Sequence, residues 1–131
     1  MRATFFYAAL LTLLFVGLSV RTLRMRRRLR ISVGDRGDDA MLRAMRVHSN
    51  FAEYAPLGLI LLYFVEVSGS RPAFVHALGV SLLVGRAVHA YGVSHIKENY
   101  RYRVTGMALT IGMLVAASFR LVYAYAASLA G

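Results

Sequence analysis

The sequence contains neither cysteine nor tryptophan. Without cysteine there is no disulfide framework, no thiolate nucleophile and no sulfur-based metal site. Any thiol chemistry must therefore use a sulfur that a substrate brings. Proline is scarce, with two residues in 131, and acidic residues number 6 against 16 lysines and arginines. No Walker or dinucleotide-binding pattern occurs. Arg86 and His89 share a helical face while His95 and His76 point or lie elsewhere, so the sequence assembles no metal set.

What is present is apolar. A hydrophobic fraction of 58% exceeds the roughly 45–50% of a soluble domain. With so little proline it sits in long runs, which lipid forces into helices. "ATFFYAALLTLLFVGLSV" (3–20) is uncharged and close to the ~20 residues needed to cross a bilayer. It passes straight into "RTLRMRRRLR" (21–30) with no small-residue cleavage site, the pattern of a retained first helix rather than a removed signal peptide. "ISVGDRGDDA" (31–40) carries loop punctuation, with Asp38 or Asp39 placed to cap the next helix. "SGSRP" (68–72) makes a short turn, "HIKENYRYR" (95–103) a second basic connection, and small residues ending in Gly131 close the chain. The expectation is one all-α domain, 1–131, an integral membrane four-helix bundle with helices at about 3–22, 40–67, 73–94 and 104–128.

A formal charge of +10 would suggest nucleic acid in a soluble protein. Here the basic residues cluster in the connections after the first and third helices, where membrane orientation and anionic headgroups explain them, and no aromatic-interleaved basic platform exists. The other connection offers Arg71 and the N-terminus Arg2. The positive-inside rule then places both termini on the non-cytoplasmic side. Arg120, near the outer end of the fourth span, is placed to snorkel or to pair with Glu66.

The informative segment is "RAMRVHSNFAEYAPL" (43–57). At about 100° per residue, Arg43, Arg46, Asn50, Glu53, Tyr54 and Leu57 fall within one arc of the second helix. Charged side chains at membrane depth face protein or a wet cavity. One reading is polar glue, with Arg46 and Glu53 neutralising each other across a helix interface. The other is a binding site. Two arginines hold carboxylates, Asn50 adds a donor and an acceptor, and Glu53 receives an ammonium group. Glutathione carries those groups together with the thiol this chain lacks. His48 points to the other side of the helix and reads as a packed or hydrogen-bonded histidine. Pro56 removes one helical hydrogen bond just beyond the arc and predicts a kink. Gly79, Gly85, Gly92, Gly106 and Gly112 read as close helix contacts rather than a phosphate loop.

These residues resemble the second-helix signature of the MAPEG family, the membrane-associated proteins of eicosanoid and glutathione metabolism. Arg43, Arg46, Asn50, Glu53, Tyr54 and Pro56 stand in register with it. "GRAVHAYG" (85–92) resembles the third-helix motif of microsomal glutathione transferases, and "YRYR" (100–103) their basic entry to helix four. The resemblance implies a homotrimer in a bacterial inner membrane, binding glutathione as co-substrate between protomers. It implies glutathione contacts at Arg46, Asn50, Glu53 and Tyr54, with Arg43 close by, and at Arg86 and His89. It also offers Arg26 or Arg27 as a carboxylate contact, beside the plain reading of that run as a headgroup anchor, and Arg103 or Arg101 as the residue stabilising the thiolate. One departure stands out, because Val93 occupies the place of a tyrosine and Tyr91 lies on another face.

The activity implied is transfer of the thiol to a lipophilic electrophile, or reduction of a lipid hydroperoxide with it. The rival is a non-catalytic lipid-binding or scaffold protein on the same fold. A transporter fits less well, since the chain shows no inverted repeat or paired broken helices.

Overall fold

The computed structural model describes residues 2–96 and 99–129. Lys97 and Glu98 of the basic connection, and Gly131 at the end of the chain, lie outside them. Four helices follow in order: α1 (Ala3–Leu29), α2 (Asp39–Val67), α3 (Pro72–Ser94) and α4 (Tyr100–Leu129). Each is long and apolar enough to cross a membrane. The protein is an integral membrane four-helix bundle.

The helices start and stop for local reasons. Asp38 caps α2, its Oδ1 accepting the Met41 N–H at 2.8 Å, which satisfies one of the donors that a helix start leaves open. Pro72 stands at the first turn of α3, where its missing N–H costs nothing. Helix α1 does not stop where its apolar run ends. It continues through the arginines, and Arg26, Arg27 and Arg28 occupy its last turn, where cations favour the negative end of the helix dipole. The chain then turns at Arg30, φ 54°, and the Ile31 N–H returns to the Arg26 carbonyl at 3.0 Å. Helix α4 likewise begins before its apolar run, with Asn99 Oδ1 accepting the Arg101 N–H at 3.1 Å. Helix α2 runs unbroken through Pro56.

Helices α2 and α3 form the inner diagonal and each packs against all the others, whereas α1 and α4 lie on opposite sides and do not meet. Leu11, Val47, Phe51, Leu62, Val75, Leu82, Met113 and Ala117 build the core. The α3–α4 seam is the tightest. A Cβ on Gly106 would stand 2.5 Å from the His89 nitrogen and 2.7 Å from the Gly85 carbonyl oxygen, so only glycine lets these two backbones approach. Gly79 and Gly92 are also in close contact, with Tyr7 and with Tyr102 and Arg103, whereas Gly112 faces open space. His48 is a packed, hydrogen-bonded residue, 3.0 Å from Ser19 Oγ with its ring stacked on Phe15 at 4.8 Å.

At the end of the bundle where α1 begins, Glu66 does not reach Arg120. Its two carboxylate oxygens accept the N–H groups of Ala3 and Thr4. Those N–H groups lack intrahelical partners and carry the positive end of the α1 dipole, which favours the carboxylate there. Beside them Arg2 Nη1 donates to Tyr63 Oη at 2.7 Å, and Tyr7 Oη meets His76 Nδ1 at 3.0 Å.

Candidate functional site

At the opposite end, where α2 starts, α3 stops and α4 starts, a cleft of about 630 Å³ opens between these helices. Helix α2 supplies Asp39, Leu42, Arg43, Arg46, Ser49, Asn50 and Glu53; His89 and Val93 come from α3, Arg103 from α4, and Ile96 from the connection. The 3.6-residue repeat explains the α2 contribution, since Asp39, Arg43, Arg46, Asn50 and Glu53 recur at intervals of four, three, four and three. Val47, Phe51 and Ala55, on another face of the helix, turn inward to the core.

Six residues singled out from the sequence are therefore gathered in one cleft: Arg43, Arg46, Asn50, Glu53, His89 and Arg103. Arg43 is fixed across it, with Nη1 donating to the Val93 carbonyl at 3.2 Å. His89 is buried on the α3 wall. The lining carries three guanidinium groups against two carboxylates, Asp39 and Glu53, one formal positive charge in excess.

Arg86 lies elsewhere. Only 1% of it is exposed, and its guanidinium sits behind the cleft in a shell of protein acceptors. Nε donates to Thr110 Oγ1 at 3.0 Å and Nη1 to Asn50 Oδ1 at 2.7 Å. Nη2 meets Met107 Sδ at 3.2 Å, and Tyr54 lies 5.2 Å away with its ring face toward the guanidinium carbon. Tyr54 is thus Arg86's partner rather than part of the cleft lining. This shell has a chemical consequence for Asn50. Arginine can only donate, so the oxygen of the Asn50 amide must face Arg86. The amide nitrogen remains as the group Asn50 offers to the cleft, a donor suited to a carboxylate or carbonyl.

The other arginines are more remote. Arg26 Nη1 ties down the α1–α2 loop through the carbonyls of Ser32 and Gly34, at 3.3 and 3.2 Å. Arg27 and Arg101 are exposed and do not line the cleft, which separates Arg101 from Arg103.

Asp39, Leu42, Ser49 and Ile96 join the lining without having been singled out from the sequence as site residues. Asp39 had a usable signal. It stands four residues before Arg43, one turn further along the same polar stripe, and Asp38 rather than Asp39 caps the helix. Ser49 similarly lies between Arg46 and Glu53 in helical spacing. Ile96, beyond the end of α3, carried none.

The MAPEG family model matches residues 4–123. The inner membrane protein YecN of Escherichia coli strain K12 is 38% identical over 104 residues, covering 79% of this chain and 78% of that protein. YecN of Escherichia coli O6:H1, strain CFT073, is similar to the same extent. A match spanning almost the whole chain, on a bundle of four membrane-length helices whose polar stripe lines a cleft, makes this protein a member of the MAPEG family, a membrane protein of the glutathione and eicosanoid metabolism group.

Proposed function

We propose that the cleft binds glutathione and that the protein is a glutathione-dependent membrane transferase or peroxidase acting on lipophilic electrophiles or lipid hydroperoxides. The observation that carries this reading is the composition of the cleft. Arg43, Arg46 and Arg103, the Asn50 amide nitrogen and the Glu53 carboxylate match a ligand with two carboxylates, peptide carbonyls and one ammonium group. Such a ligand bears a net charge of about −1 with its thiol protonated, which offsets the excess positive charge of the lining.

In this reading the arginines on α2 hold carboxylates and Glu53 takes the ammonium group. Arg103, which lines the cleft where Arg101 does not, stabilises the thiolate. A thiol with an ordinary pKa of about 8.5 needs a nearby cation to ionise at neutral pH. The sulfur then attacks an electrophilic carbon and the leaving group departs with the electron pair. With a hydroperoxide it attacks the terminal oxygen, releasing the alcohol, and a second thiol resolves the sulfenic acid to disulfide and water. No protein nucleophile participates, so the rate gain comes from orientation and electrostatics. The active assembly is a homotrimer with its termini away from the cytoplasm and the hydrophobic substrate entering from the bilayer.

Val93 favours a second reading. It lines the cleft with an apolar side chain where a hydroxyl donor would help the sulfur ionise, which suits a protein that binds a lipophilic ligand without catalysis. Calorimetric titration with glutathione separates the two. Saturable binding by the wild type, lost in both Arg46→Ala and Glu53→Ala, supports the glutathione site. A folded wild type that takes up no glutathione defeats it and leaves the arc as polar glue.

A further inference from the structure

A second polar surface lies on α1, away from the cleft just described. Gly17, Val20, Arg21, Arg24, Met25 and Arg28 line a groove of about 530 Å³. These positions recur at helical intervals, so they form one face running about 16 Å along the axis. The groove straddles a chemical boundary. Its first part belongs to the uncharged span, and its second to the arginine run.

Two features of this face are unexplained by packing. Arg24 and Arg28 are exposed and make no side-chain hydrogen bond among the described residues, while α1 contains no acidic residue that could pair with them. Arg21 is anchored against α3, donating to the hydroxyl and carbonyl oxygen of Ser94. Gly17, in contrast with Gly85 and Gly106, admits no neighbouring helix. A Cβ there would meet nothing within 4 Å, so its missing side chain deepens a notch on the apolar part of the groove.

We infer that this groove is a binding site for an anionic phospholipid. Guanidinium groups of Arg24 and Arg28 hold the phosphodiester, and the upper part of an acyl chain lies in the notch over Gly17 and Val20. Charge complementarity selects the headgroup. The apolar part selects a lipid over a soluble phosphate, which would have no use for Gly17. This inference is independent of what the cleft binds.

The test uses the purified full-length protein in neutral detergent, with phosphatidylglycerol as the probe and bound lipid counted by native mass spectrometry. An arginine beside an anionic lipid contributes roughly fivefold to binding, so Arg24→Gln/Arg28→Gln together lower retention about 25-fold. Gly17→Leu weakens retention with every charge in place, because it fills the notch. Arg30→Asn/Arg36→Asn removes as much charge outside the groove and keeps retention within about twofold of wild type. Equal loss in that control pair, wild-type retention by Gly17→Leu, or full competition by soluble glycerol 3-phosphate would each overturn the inference. Melting curves confirm that the variants compared are folded.

Discussion

Replacing Gly106 with alanine tests the α3–α4 seam most directly. The new Cβ would lie 2.5 Å from the His89 nitrogen and 2.7 Å from both the Gly85 carbonyl oxygen and the His89 Cβ. Two of those three atoms are backbone, so no side chain can swing aside. Relief requires the helices to separate by about 1 Å, and overpacking of this kind costs about 1–3 kcal/mol. The rigid neighbours place the expected value in the upper half of that range. For a domain of this size it lowers Tm by about 6–15 °C. Gly112→Ala provides the control on the same helix, because its Cβ would meet nothing within 4 Å. Alanine is the better helix former there, so its expected effect is nil to a gain of about 1 kcal/mol. Thermal unfolding of both variants in one detergent, followed by circular dichroism, measures the difference. Equal melting temperatures would refute the claim that backbone contact holds this seam. A seam forced apart also separates His89 from Arg103, so Gly106→Ala should weaken any ligand the cleft takes.

Glu66→Gln leaves the size of the side chain but removes the charge that caps α1. The expected cost is about 0.5–2 kcal/mol, and hydrogen exchange should accelerate at Ala3 and Thr4 while the Asp38-capped start of α2 is unchanged. Arg86→Leu removes a donor from Asn50 Oδ1 and from Thr110 Oγ1, which keeps its bond to the Gly106 carbonyl at 2.9 Å, so the expected cost is about 1–3 kcal/mol in all. It also frees the Asn50 amide to rotate. A melting temperature close to wild type, with ligand affinity intact, would show that Arg86 does not position Asn50.

The bundle was legible because its signals are periodic. Uncharged runs marked the spans, and the spacing of Arg43, Arg46, Asn50 and Glu53 marked one face of α2, which is the face that lines the cleft. Helix ends were harder. Hydropathy ends at Val20, yet α1 continues to Leu29 because arginine is a good helix former and favours a C-terminal turn. The start of α4 was hidden similarly, since Asn99 rather than an apolar residue sets it. Partners from distant segments were the least readable. Nothing local tells that Arg86 will take Asn50 and Thr110, or that Glu66 will prefer the first N–H groups of α1 to Arg120. Those choices depend on which helices become neighbours.

Arg86 also bears on how the protein is made. Its acceptors come from α2, through Asn50, and from α4, through Thr110 and Met107. An arginine at the centre of a membrane helix costs about 2.5–3.5 kcal/mol to insert by translocon-based scales. When α3 leaves the ribosome, α2 is already available to share that load but α4 is not. The third helix therefore waits, half satisfied, for the fourth. A nascent chain cut short before Thr110 would keep a guanidinium seeking water inside the bilayer, a chemical mark by which incomplete copies differ from finished ones.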